Sequence, residues 1–96
     1  MRMSLASGLV TVSLAAAQAA SLEPPAAASS CTGCHPANAG VETPVPRLAG
    51  RDAADTVAAM EAFRSGQKPA TVMDRIAKGF TVEEIQAIAA WYAAQR

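Results

Sequence analysis

The alternation of apolar and polar positions predicts a helix most clearly near the end of the chain. Thr81 and Glu84 have the spacing of a capping box, with Thr81 at the N-cap and Glu84 at N3. Phe80 and Ile85 occupy the positions of a hydrophobic staple around that box. The positions that follow repeat at helical spacing and form one apolar stripe: Ile85, Ile88, Ala89 and Tyr92.

A second helix is predicted over residues 53–65. Asp52 is a good N-cap, and Gly66 is a typical helix stop. Between them, apolar residues recur at about helical spacing: Val57, Met60 and Phe63.

Shorter helices are predicted over residues 26–34 and 70–78, the latter ending at Gly79. Prolines and glycines make residues 36–50 a loop. No segment has the alternation of a strand, so the chain is predicted to be all-α with about four helices.

The first of these helices leads into Cys31-Thr32-Gly33-Cys34-His35, the C-x-x-C-H pattern of covalent c-type haem attachment. Two thiols one turn apart lie on the same side of a helix and can both add to one porphyrin. The adjacent imidazole can then reach the iron. A haem held in this way supports one-electron chemistry.

Other uses of these residues fit less well. A zinc site needs four ligands, and the chain has two cysteines and one histidine. A thioredoxin-like dithiol would follow a strand, whereas residues 26–30 are alanine and serine. A disulfide between such close cysteines would close almost no loop.

The start of the chain has the features of a secretory signal. Arg2 precedes an uncharged apolar stretch, and Ala17-Gln18-Ala19 has small residues at the cleavage positions. The apolar stretch is short for a membrane span. We expect cleavage after Ala19, an exported domain over residues 20–96, a periplasmic location, and no membrane span after cleavage. An uncleaved anchor is the alternative.

Size and composition point to a domain that needs its cofactor to fold. An exported chain this short has little core of its own, both cysteines belong to the haem motif, and the whole chain has four aromatic residues. We therefore expect a poorly folded apoprotein.

Without Arg2 there are seven basic and eight acidic residues, a net charge of minus one. Without a basic stripe, nucleic acid is an unlikely partner.

The spacing of residues alone does not decide which residue is the second axial ligand of the iron. The chain has no second histidine, so methionine is the natural alternative, and His/Met ligation raises the reduction potential. Met60 lies in a helical stripe, where methionine is usually core filler. Met73 follows a proline-containing connection that could bring its thioether over the haem. Water or a small ligand on the iron is a further possibility.

The order of these features resembles a class I cytochrome c, a small all-α fold wrapped round one covalently bound haem. Within that class, Phe63-Arg64-Ser65-Gly66 and residues 71–80, continued by residues 81–95, resemble the cytochrome subunit of flavocytochrome c sulfide dehydrogenase. That cytochrome often has two haem domains, and single-haem forms also exist. The segment before Cys31 is almost all alanine and brings no bulky residue to a crossing with the last helix.

The resemblance implies a role for each site residue. Cys31 and Cys34 would form thioethers to haem c, and His35 and Met73 would be the axial ligands. Pro46 would accept a hydrogen bond from the haem histidine through its carbonyl. The aromatic pair of the last helix, Trp91 and Tyr92, would pack against the first helix and the haem edge.

The implied partners are a FAD-containing flavoprotein subunit that oxidises sulfide and, downstream, another electron carrier such as a cytochrome. The chain would carry electrons and would not be catalytic alone. Two other interpretations stay open: a free soluble electron carrier, and a haem sensor in which Met73 does not occupy the iron.

Overall fold

The computed structural model describes residues 23–95, and this part of the chain is helical without strands. A 3-10 turn at Ala26–Ala28 precedes four α-helices: α1 (Ser29–Thr32), α2 (Ala53–Arg64), α3 (Met73–Ala77) and α4 (Val82–Ala94). The all-α prediction is confirmed. The predicted signal segment, residues 1–19, lies outside the described residues. Within them, no helix is both long enough and apolar enough to cross a bilayer.

Helix α4 begins with the predicted capping box. The Glu84 amide donates to Oγ1 of Thr81 at 3.1 Å, and the Thr81 amide donates to Oε1 of Glu84 at 2.9 Å. These bonds satisfy two of the amides that a helix start leaves unpaired. The apolar face of α4 is buried: Ile85, Ile88, Ala89, Trp91 and Tyr92.

Helix α2 has the predicted cap and ends within a residue of its predicted end. Oδ1 of Asp52 accepts from the Ala54 amide at 2.8 Å, and Gly66 follows the helix with φ of +76°. Its expected core stripe is only half-buried, however, at Val57, Met60 and Phe63. The interpretation of Met60 as core filler therefore stays a prediction.

Helix α3 is shorter than predicted and begins at Met73 instead of residue 70. Residues 70–72 are exposed, and Val72 occupies the N-cap position with no side-chain cap. The β-branched pair Thr71-Val72 has low helix propensity, which explains the late start.

Helix α1 and the 3-10 turn together replace the single helix predicted over residues 26–34. The turn nevertheless continues into the haem motif, because the amides of Cys34 and His35 both donate to the carbonyl of Cys31, at 3.1 and 2.8 Å. Gly33 keeps helical dihedrals of −67° and −28°.

The core lies where the 3-10 turn meets α4. Ala28 is fully buried in a cluster with Ile88, Trp91 and Tyr92. The rings of Trp91 and Tyr92 pack edge to face, with 4.9 Å between their centroids. Ala28 contributes little volume, so the bulk of this junction comes from α4. Ala28 of the alanine-rich segment is therefore well packed despite its small side chain. α4 also packs against α2, and α2 against α3.

Candidate functional site

The two thiols of the motif are both free, with Cys31 half-buried and Cys34 exposed. The helical turn that joins them places i and i+3 side chains on one side of the backbone. Burial raises the pKa of the Cys31 thiol above its ordinary value. Both thiols are thus positioned to bond to one flat group lying alongside this turn.

The His35 ring is held by the loop that follows the motif. His35 is 9% exposed, and its Nδ1 lies 2.6 Å from the carbonyl oxygen of Pro46. A carbonyl can only accept, so Nδ1 carries a proton, and the nitrogen left for a metal is Nε2. Nε2 has no hydrogen-bond partner among residues 23–95, which leaves it available as a metal ligand.

The loop that carries Pro46 is itself attached to α4. The Gly50 amide donates to the carbonyl of Tyr92 at 2.9 Å, and Ala49 beside it is buried. Gly50 has φ of +74°, a conformation that favours glycine, and a Cβ there would lie 3.4 Å from the carbonyl of Gln95. The loop therefore approaches α4 closely at a residue without a side chain.

Tyr92 makes a contact that the sequence reasoning missed. Its hydroxyl donates to the carbonyl of His35 at 2.6 Å, and the side chain is fully buried. Burial, and then the charge of Cys31, raise the pKa of Tyr92 to about 12, so it stays a donor at neutral pH. The available signal was a tyrosine inside an apolar stripe, because a buried phenol needs a partner.

The two candidate methionine ligands lie on other helices. Met73 is the first residue of α3, Met60 lies within α2, and both are half-buried. Helix α3 packs on α2 and makes no packing contact with α1 among the described helices. The structure thus joins His35 to Pro46, and Met73 lies on a separate element.

A haem fits the residues of this part of the chain. Helices α2 and α3 carry apolar side chains that are only half-buried in the protein, and the chain also offers two free thiols and an imidazole nitrogen without a partner among the described residues: Val57, Met60, Phe63, Met73 and Ile76. A porphyrin supplies apolar area that can cover such side chains and accepts bonds from both thiols and Nε2. Residues 23–95 contain no cluster of three or more His, Cys, Asp or Glu that could hold a metal ion.

A comparison with curated proteins found a similar cytochrome. The chain is 36% identical over 63 residues to the cytochrome subunit of sulfide dehydrogenase from Chlorobaculum tepidum. The match covers 66% of this chain, and the chain spans 57% of the length of that relative. The predicted resemblance to that cytochrome is therefore confirmed. No protein-family model matches the chain.

Proposed function

We propose that this chain is a single-haem c-type cytochrome that carries electrons one at a time. The observation that carries the proposal is the fixed imidazole of His35, whose Nδ1 is bound to Pro46 while Nε2 stays free beside two free thiols. The similarity to a cytochrome supports the same conclusion independently.

Each site residue has a role in this proposal. Cys31 and Cys34 hold the haem through thioether bonds, and His35 binds the iron through Nε2. The Pro46 carbonyl fixes the plane of the imidazole and raises its basicity. Met73, at the start of α3, is the proposed ligand on the opposite face. When bound, the haem supplies the reversible one-electron couple of its iron.

The finer proposal is that the chain is the electron-accepting subunit of a flavoprotein sulfide dehydrogenase in the periplasm. The relative's name supports it, because that cytochrome is a subunit of sulfide dehydrogenase. In such an assembly a FAD-containing partner performs the bond chemistry on sulfide. This chain accepts electrons and passes them to another carrier, and it is not catalytic alone.

The test is a mild native purification from cells that express the full chain, with a visible spectrum recorded for haem and flavin together. Flavin that co-purifies with the haem, and haem that is reduced when sulfide is added, would support the subunit. Haem alone, inert to sulfide, would leave a free electron carrier. Binding of carbon monoxide by a high-spin haem would instead indicate a sensor.

A further inference from the structure

We propose that Tyr92 is a positioning residue for His35, holding both the main chain of the histidine and the loop that binds its ring. The proposal rests on the proposed function, because it takes His35 as the iron ligand. It concerns a residue that does not itself touch the iron.

The first support is the hydroxyl of Tyr92. It lies 2.6 Å from the carbonyl oxygen of His35, 57 positions earlier in the chain, and the side chain is fully buried. A buried phenol and a buried carbonyl each lose their hydrogen bonds to water, and here each satisfies the other. This bond anchors the backbone of the ligand to α4.

The second support is the backbone of the same residue. The Tyr92 carbonyl accepts from the Gly50 amide at 2.9 Å, at the end of the loop whose Pro46 carbonyl accepts from Nδ1 of His35 at 2.6 Å. The three bonds form a closed circuit from Tyr92 to the His35 backbone, through its ring to Pro46, and along the loop to Gly50 and Tyr92 again. One residue of α4 therefore holds both the backbone of His35 and the loop whose Pro46 carbonyl binds the His35 ring.

The circuit has an electronic consequence. A short Nδ1–H···O bond makes Nε2 a stronger donor to iron, which stabilises the oxidised state and lowers the reduction potential. If the His35 backbone loses its anchor, its ring can move relative to Pro46 and that bond weakens. Nε2 then donates less, and the potential rises.

The experiment compares two holoprotein variants that each lose one heavy atom from the same buried cluster, Tyr92→Phe and Ile88→Val. Redox titration gives the potential, and proton NMR of the oxidised protein gives the pattern of haem-methyl shifts, which depends on the orientation of the axial ligands. Tyr92→Phe is expected to raise the potential and alter the pattern. Ile88→Val is expected to lower thermal stability while leaving both at their wild-type values.

An unchanged potential and an unchanged haem-methyl pattern in Tyr92→Phe would overturn the proposal. Tyr92 would then only pack in the core and would not position His35. Equal changes in Ile88→Val would overturn the proposal too, since any loss from the cluster would then have the same effect. Wild-type protein without covalently bound low-spin haem would overturn the proposed function first, and this proposal with it.

Tyr92→Phe could fail to assemble with haem, and a measurement on the unaltered protein covers that case. In the reduced, diamagnetic holoprotein, the single tyrosine of the chain should show a hydroxyl proton that exchanges slowly with water and lies close to His35. A rapidly exchanging hydroxyl proton would contradict the proposal.

Discussion

The two sides of the molecule differ in how far the chain completes its own packing. At the junction of the 3-10 turn with α4, Ala28 and Tyr92 are fully buried and Ile88 is 5% exposed. On α2 and α3, in contrast, comparable apolar residues are only half-buried: Val57, Met60, Phe63, Met73 and Ile76. The junction is packed by protein alone, whereas the α2–α3 side is not.

The difference explains how a small chain can combine a stable frame with an open cofactor site. The junction holds the segment of the C-x-x-C-H motif in place, because Tyr92 of α4 binds the backbone of His35 and the loop at Gly50. The α2–α3 side keeps apolar area that a porphyrin would bury, at roughly 25 cal/mol for each Å² removed from water. Under the proposed function, a haem would supply the missing part of the core.

The largest effect is expected from removing His35, the proposed iron ligand on the junction side. His35→Ala should largely abolish low-spin holoprotein, since no other histidine exists in the chain. The measurement is the visible spectrum and the haem-to-protein ratio of the purified protein. Asn38→Ala, in the exposed loop nearby, is the control and should assemble normally. Normal amounts of low-spin haem in His35→Ala would contradict the ligand assignment.

The next largest effect distinguishes Met73 from Met60 as the axial ligand, and both lie on the α2–α3 side. Met73→Ala should give high-spin or hydroxide-bound iron and a lower potential, because loss of the thioether removes the ligand that raises it. Met60→Ala, equally half-buried but within α2, should keep the low-spin spectrum. The visible spectrum and a redox titration measure both. The reverse result would move the axial ligand to Met60.

A matched pair of isoleucines tests the packing difference directly. Ile85 on α4 is 2% exposed, whereas Ile76 on α3 is half-buried. In the haem-free chain, Ile85→Ala should reduce the residual helicity seen by circular dichroism, and Ile76→Ala should change it little. In the holoprotein, both truncations should cost about 2–5 kcal/mol in denaturant unfolding, because the haem then covers Ile76. A small cost for Ile76→Ala in the holoprotein would show that no haem packs there.

The raised pKa of Tyr92 predicts that the free energy of unfolding falls at alkaline pH, because the junction then loses the contribution of the protonated phenol. The tyrosine pKa is about 10 in an unfolded chain and about 12 in the fold, where burial is the main cause. The folded state therefore holds this proton more tightly. Its contribution is complete below pH 10 and declines as the pH rises toward 12. Denaturant unfolding across that range should show the decline, and Tyr92→Phe should show less of it.

The smallest effect concerns the cap of α4. Thr81→Ala removes the acceptor for the Glu84 amide and should cost about 1 kcal/mol of unfolding free energy. Thr71→Ala changes an exposed threonine before α3 and should cost much less. Thermal unfolding of the two holoproteins compares them. Equal losses would show that the capping box adds nothing beyond a surface threonine.

Local signals explain which elements were predictable. The caps of α2 and α4 and the turn at Gly66 involve residues close in sequence, so their hydrogen bonds follow from the residue types alone. The start of α3 was misplaced by three residues because Thr71-Val72 weakens the helix and no capping side chain marks its beginning. The half-burial of α2 was missed because periodicity shows which face is apolar and not what covers it.

The sequence by itself determined the chemistry: two thiols and an imidazole at the spacing of haem attachment, a methionine further along, and two longer helices, α2 and α4, whose starts are marked by capping side chains. Only the tertiary structure decided how the imidazole is held. The bonds from Nδ1 of His35 to Pro46 and from Tyr92 to the His35 carbonyl span 11 and 57 positions. Contacts at such separations depend on how the helices pack, because no local pattern encodes which buried donor meets which acceptor.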